Sequence, residues 1–202
     1  MSPTSSSQST SQGKVLSTAD LRRPQVLSAA LNEFGDGGYY GTTVADVGRA
    51  ASISPAYVFK LFPSKELLFA AALEECYDQV IAALVLEADA VDEAGTAGDP
   101  PDPTTMLDRL GGAYAKLIGD RRLLMMQVHA QSVAGIPEIG RALREGLARI
   151  TAFAKERSRG SDEDVQRFVA FGQLCHLLVT AEIENIPEPW ARILDQGMRH
   201  PD

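Results

Sequence analysis

The sequence predicts an all-α protein, with an N-terminal three-helix domain of the helix-turn-helix type followed by a C-terminal helical bundle. Three observations carry this. Residues 42–65 contain two short helices with separate start signals on either side of a three-residue joint. Apolar residues recur at helical spacing through nearly every later segment. Clusters of glycine, proline and small hydroxyl residues, as at 35–43, 52–55, 95–105 and 158–161, separate those segments. The expected organisation is a tail over residues 1–18, the helix-turn-helix domain over 19–64 and the bundle over 65–202.

Taken in order, residues 1–18 are dominated by Ser, Thr and Gln, which cannot build a core, and they predict a disordered tail. A first helix is expected over Asp20–Phe34, with Pro24 tolerated in its first turn and Leu27, Ala30, Leu31 and Phe34 as its apolar stripe. Gly35, Gly37 and Gly38 are expected to end it. Arg22 and Arg23 lie at its start. Tyr39 and Tyr40 either pack the corner or reach a phosphate.

Thr43 then N-caps a second helix, with Asp46 three residues on in a variant of the capping box. Val44, Val47 and Ala51 share its inner face. Ser52-Ile53-Ser54 forms the joint, with Ile53 plugging the angle. Ser54-Pro55 is a second start signal, a capping hydroxyl followed by proline at the first helical position. Val58, Phe59 and Phe62 are read as the inner face of this third helix, and Pro63 as its stop. Pro55, Ala56, Tyr57 and Lys60 remain to face outward. Small residues at the front let the helix end approach a groove, Tyr57 can stack or donate its hydroxyl, and Lys60 and Lys65 can meet phosphates. Eight residues at 1.5 Å each make a rod of roughly 12 Å, enough to cross a major groove once.

The text from Leu27 to Phe69, running AALNEFGDGGYYGTTV, VGRAASIS and VFKLFPSKELLF, resembles the TetR family of transcriptional repressors. Many members carry a tyrosine where this chain has Phe59, and a small hydroxyl residue where it has Tyr57. The resemblance implies a bundle that binds a small-molecule ligand and a homodimer formed through the last two long helices. It also implies contacts to a double-stranded DNA operator from Thr43, Ser54, Pro55, Ala56, Tyr57, Phe59, Lys60 and Lys65.

After Ser64 a long helix is expected, free of glycine and proline, with apolar contact from Leu67 to Leu84. Residues 87–105, rich in glycine, proline and acids, are read as a solvated loop, either a mobile linker or a lid. Further helices follow: Met106–Ile118, one after Asp120, one from Ile136-Pro137 to the basic residues before Gly160, one opened by Ser161 and acids, and a last one from Glu188-Pro189-Trp190. The helix after Ser161 is apolar on both sides, so one side is expected to meet its own bundle and the other a partner subunit.

Net charge is −8, but it is unevenly spread. Through Lys65 there are six basic residues and four acidic ones, a net +2; the remainder has thirteen and twenty-three, a net −10. A mildly positive head can face phosphate while an acidic body faces away. No apolar run of about 18 residues predicts a membrane span, and the N-terminus lacks the apolar core of a secretory signal, so a cytoplasmic protein is expected. Cys76 and Cys175 read as reduced core thiols.

No nucleophile elbow, Walker loop, H-E-x-x-H or cysteine cluster is present, so no enzyme activity, cofactor or metal site is expected. The candidates for lining a ligand pocket are Tyr77, Tyr114, Met125, Met126, His129, Phe153 and His176, residues that equally suit a plain core. Two functions fit: a dimeric repressor on a near-palindromic operator released by a small molecule, or a helical ligand-binding or adaptor protein that kept the fold and lost DNA binding.

Overall fold

The computed structural model describes residues 18–94 and 102–197. Most of the expected tail, and the middle of the expected 87–105 loop, lie outside the described residues. Nine α-helices and one 3-10 turn make up the described chain: α1 (Thr18–Gly41), α2 (Val44–Ala50), α3 (Pro55–Leu61), α4 (Lys65–Ala94), α5 (Pro103–Leu117), α6 (Arg121–Ser132), α7 (Pro137–Ser158), α8 (Asp162–Thr180), the turn Ile183–Asn185, and α9 (Pro189–Asp195).

The head is α1 to α3. Its caps form as the sequence indicates. Thr43 accepts from the Asp46 N–H at 3.2 Å and donates its own N–H to Asp46 at 2.9 Å, a complete capping box. Ser54 accepts from the Tyr57 N–H at 3.3 Å. Val47 and Val58 are fully buried, and Ser52 in the joint takes a left-handed backbone, φ 55°. A Cβ at Gly48 would lie 2.7 Å from the Ile53 carbonyl, so the joint closes tightly onto α2 only because residue 48 lacks a side chain.

Two boundaries differ from expectation. Helical backbone in α1 runs past Phe34 and breaks at Gly38, with φ 68° and ψ −179°. Gly35 does not end the helix. A Cβ there would lie 2.7 Å from the Arg122 carbonyl, so this glycine allows α1 to close on α6. The second difference is in the expected loop. Residues 87–94 are helical, the last turns of α4, and α5 begins at Pro103 behind the Asp102 cap. The acids that suggested a loop are ion-pair partners along the helix: Arg157 reaches Asp89 at 2.7 Å and Asp92 at 2.8 Å, and Arg109 pairs with Glu87 at 2.5 Å. Ala88 is fully buried beneath them.

α4, thirty residues and about 45 Å long, is the axis. It packs against α1 at its head end and against α5, α6 and α7 along the body, while α8 covers α5 and α7. One apolar core runs without a break from Val26 in the head to Val165 in the body. A small second cluster of Leu178, Ile183 and Ala191 sits under the end of α8. Tyr77 is fully buried against Gly146, where any side chain would overlap its ring.

Gly38 occupies backbone space that is essentially glycine-only, and a Cβ there would meet the His129 ring at 3.0 Å. Gly38→Ala is therefore expected to cost roughly 1–3 kcal/mol and lower Tm by several degrees in a calorimetric melt. An unchanged Tm would mean that the chain relaxes at this corner.

Candidate functional site

Two sites stand out, one on the head and one beside the middle of α4. The first is the outer surface of the helix-turn-helix. Val58 and Phe62 turn inward and hold α3 to the head, and the Arg23 guanidinium covers the Phe62 ring at 4.3 Å. Arg23 also donates to the Leu61 carbonyl at 3.4 Å, and Gln25 to the Ala51 carbonyl at 2.8 Å, so the start of α1 braces both short helices.

Ser54, Pro55, Ala56, Phe59 and Lys60 are exposed, and Tyr57 is half-buried. The reading of Phe59 as an inner residue is corrected: it is 47% exposed. The two turns of α3 leave room inside for one residue per turn, and Val58 and Phe62 take it. Lys60 Nζ lies 5.8 Å from the Tyr57 ring, which places a cation and an aromatic side by side on one surface. Thr43 is exposed at the start of α2. The Asp46 carboxyl beside it is held at about 2 by hydrogen bonds from Thr43 and Arg49.

Lys65 lies over the Tyr39 ring at 4.5 Å. Tyr39 donates its hydroxyl to Glu66 at 2.5 Å, tying the end of α1 to the start of α4. Burial and that carboxylate push the Tyr39 hydroxyl up to about 12. Tyr40 is 83% exposed beside it. Of the two arginines at the start of α1, Arg22 bonds Gln25 at 2.9 Å and Arg23 braces α3, as described.

The second site is a partly open cavity of about 170 Å³ lined by α4, α5, α6, α7 and α8. Val80, Leu84, Leu107, Ile150 and Phe168 supply most of its apolar wall, and Tyr114 and Gln127 are its inner polar groups. Tyr114 lies 2.6 Å from His176 Nε2 and 3.3 Å from Gln127 Oε1. Gln131 approaches His176 Nδ1 at 3.4 Å, and Gln127 donates to the Leu123 carbonyl at 3.2 Å. Burial keeps Tyr114 protonated and pushes the His176 imidazole down to about 4 from its ordinary 6.5.

Of the seven residues offered for a pocket, Tyr114 is in the wall and His176 stands directly behind it. Tyr77 and Met126 are fully buried in the core. Met125 and Phe153 are partly buried against that core, with Arg157 over the Phe153 ring at 6.0 Å. His129 faces the other way, onto Gly38, and its Nε2 is buried without a hydrogen-bond partner among the described residues. Burial lowers its pKa, opposed by a hydrogen bond to the Gly35 backbone. Gly111 and Gly172 line the cavity, and so does Gln127. Apolar periodicity passes over all three; an unforced glycine inside a helix was the available signal.

Among the described residues no group of three His, Cys, Asp or Glu is placed to hold a metal, and no helix is long and apolar enough to cross a membrane. Both cysteines are free thiols.

This geometry defines a helix-turn-helix protein with a partly open cavity in its helical body. Residues 26–72 match the family model for bacterial regulatory proteins of the tetR family. Over 72 residues the chain is 33% identical to the HTH-type transcriptional regulator RutR of Escherichia coli K12, which covers 36% of this chain and 34% of RutR. The chain thus spans about a third of the length of the curated relatives it matches. In fold it is similar to a transcriptional regulator from Rhodococcus sp. Rha1, with TM-score 0.63 and 21% identity over 85% of this chain and 91% of that one. A TetR-like transcriptional regulator from the same organism gives TM-score 0.59 and 20% identity over 90% and 94%. The helix-turn-helix stretch of residues 26–72 is thus similar to that of the TetR family, and the fold of the whole described chain is similar to that of solved transcriptional regulators.

His176 yields a pH test. In the unfolded chain its imidazole takes up a proton near 6.5, and in the folded chain near 4. Between these values the unfolded state binds more protons, so stability falls as pH drops from about 6.5 to about 4, by on the order of 3 kcal/mol. Denaturant melts across that window should show His176→Gln losing less stability than the wild type. Parallel loss in both would mean that the imidazole is solvated.

Proposed function

We propose that this protein is a dimeric transcriptional repressor that binds a near-palindromic DNA operator and is released from it by a small molecule seated in the body cavity. The observation that carries the reading is the outer face of α3. Ser54, Pro55, Ala56, Phe59 and Lys60 all face solvent on a short helix whose other side is fixed to the head by Val58 and Phe62. Phe59 and Tyr57 offer aromatic contact to base edges or sugars, while Lys60, Lys65 and Thr43 offer phosphate contacts that set register. The match over residues 26–72 supports the same assignment.

Pairing is supported by the outer side of α8 and by α9. Leu177 is 50% exposed, Trp190 47% and Ile193 71%, an apolar face continuing past the end of α8. The last two long helices of the described chain are α7 and α8; the exposed apolar residues favour α8, with the short α9 alongside, as the pairing face. A two-fold pair sets two α3 helices about 34–36 Å apart on one side of a duplex. The cavity supports ligand release: a molecule that fits only one spacing of the heads shifts the population toward it.

Lys60→Ala is expected to weaken binding to any operator selected from random duplexes and to reduce the salt slope by about 0.9, the loss of one phosphate contact, with Tm unchanged. Tyr57→Ala should weaken binding and relax preference among operator sequences. Gel shifts at several salt concentrations measure both. Wild-type affinity in both variants would remove α3 from the interface, and no sequence preference at low salt would favour a ligand-binding protein without DNA reading.

Leu177→Glu places a charge in the proposed pairing face and is expected to convert a dimer to a single chain in sedimentation velocity. A variant that sediments as the wild type does would put the interface elsewhere.

A further inference from the structure

The cavity has a chemistry of its own, and it is narrower than the general reading of a ligand site. Three observations bear on what it takes. The first is size. At about 170 Å³ it is close to the roughly 150 Å³ of a buried apolar cavity that accommodates benzene, so it holds one ring with a small substituent.

The second is charge. The inner polar groups are the Tyr114 hydroxyl and the Gln127 amide, both neutral, with a neutral imidazole behind them. The charged groups in the wall lie toward its solvent side: Asp108 and Arg167 are exposed and Asp164 is partly so, and Arg167 already lies 3.1 Å from Glu163 and 3.9 Å from Asp164. An anion drawn to Arg167 would have to compete with those carboxylates. A cation would have to leave water for an inner end without an acid. A buried charge without a partner costs far more than the apolar wall returns.

The third is hydrogen bonding. The Tyr114 hydroxyl and His176 Nε2 satisfy one another at 2.6 Å, a short contact, while the Tyr114 bond to Gln127 Oε1 is long at 3.3 Å. Gln127 gives its N–H to the Leu123 carbonyl. Its oxygen is thus the under-used group in the wall: a buried acceptor with two lone pairs and one weak partner. It suits a ligand that brings a donor.

We infer that the cavity binds an uncharged one-ring compound carrying a single hydroxyl or N–H donor, whose donor meets Gln127 Oε1 and whose ring lies against Leu107, Ile150 and Phe168. The inference rests on the cavity being the ligand site of the proposed repressor. Gly111 provides a clean block. It lines the cavity on α5, and a Cβ added there meets nothing within 4 Å. Gly111→Leu fills the space from a position where a side chain also favours the helix.

The test uses the full chain and four probes: phenol, toluene, benzoate and benzylammonium. Phenol should raise Tm in a concentration-dependent way and bind about tenfold tighter than toluene in calorimetric titration, the worth of one buried hydrogen bond. Benzoate and benzylammonium should leave Tm unchanged. Gln127→Leu should bring phenol down to the level of toluene. Gly111→Leu should melt at or above the wild-type temperature and lose the phenol shift. Benzoate binding tighter than phenol, no binding by any probe, or a phenol shift that survives in Gly111→Leu would each overturn the inference. Gel shifts on the same samples separate the two readings. DNA binding without probe binding rejects the ligand class alone, and probe binding without DNA binding rejects the repressor and leaves the cavity chemistry in place.

Discussion

The close seating of the last turns of α1 between α4 and α6 governs the attitude of the whole head. Phe34 meets Phe69 edge to face with centroids 4.8 Å apart, and Tyr39 meets the same ring at 5.6 Å. Gly35 brings the α1 backbone against the Arg122 carbonyl, and Gly38 lets the chain turn beneath His129. The Arg122–Asp36 ion pair at 3.0 Å crosses the same joint, but both side chains are about half exposed, and such pairs contribute little. The fully buried aromatic pair and the two glycines decide the geometry. Any side chain at Gly35 would force the two helices apart, which no surface pair could offset.

That joint gives α6 two faces with different duties. Gln127 looks into the cavity; two residues on, His129 covers Gly38 and bonds the Gly35 backbone. Arg122, a turn and a half before Gln127, holds Asp36. A rigid helix that lines a cavity with one side and seats α1 with the other is a short physical route between them. Interiors packed this tightly shift between discrete arrangements rather than deforming smoothly. The continuous core from Val26 to Val165 fits that picture, because it leaves no soft layer between head and body.

The sequence reading was strongest where a structural feature has a local chemical cause. Thr43 with Asp46, Ser54 with Pro55, and Ser161 with Asp164 are caps written into adjacent residues, and all three form. It was weaker where the cause is distant. The acids of residues 87–94 look like a solvated loop until Arg157 and Arg109, far along the chain, are seen to pair with them. Phe59 follows Val58 by one residue, so a helix of seven residues does not say which of the two turns inward. The cavity was the least legible feature. Periodicity identifies residues that face inward, but a cavity is a place where inward residues fail to meet. Here that depends on Gly111 and Gly172 having no side chains between α5 and α8. His129 and His176 look alike in sequence, both on apolar helical faces. One lies at the α1 joint and the other behind the cavity, a difference set by which neighbouring helix each meets.

The central claim is that paired copies of the head present two α3 surfaces to one side of a duplex. Hydroxyl-radical footprinting of the purified protein on a duplex selected from random sequence tests it most directly. The account predicts two protected patches on one face, related by a two-fold axis and about 34–36 Å apart. A single patch, or protection spread evenly along the duplex, would contradict it.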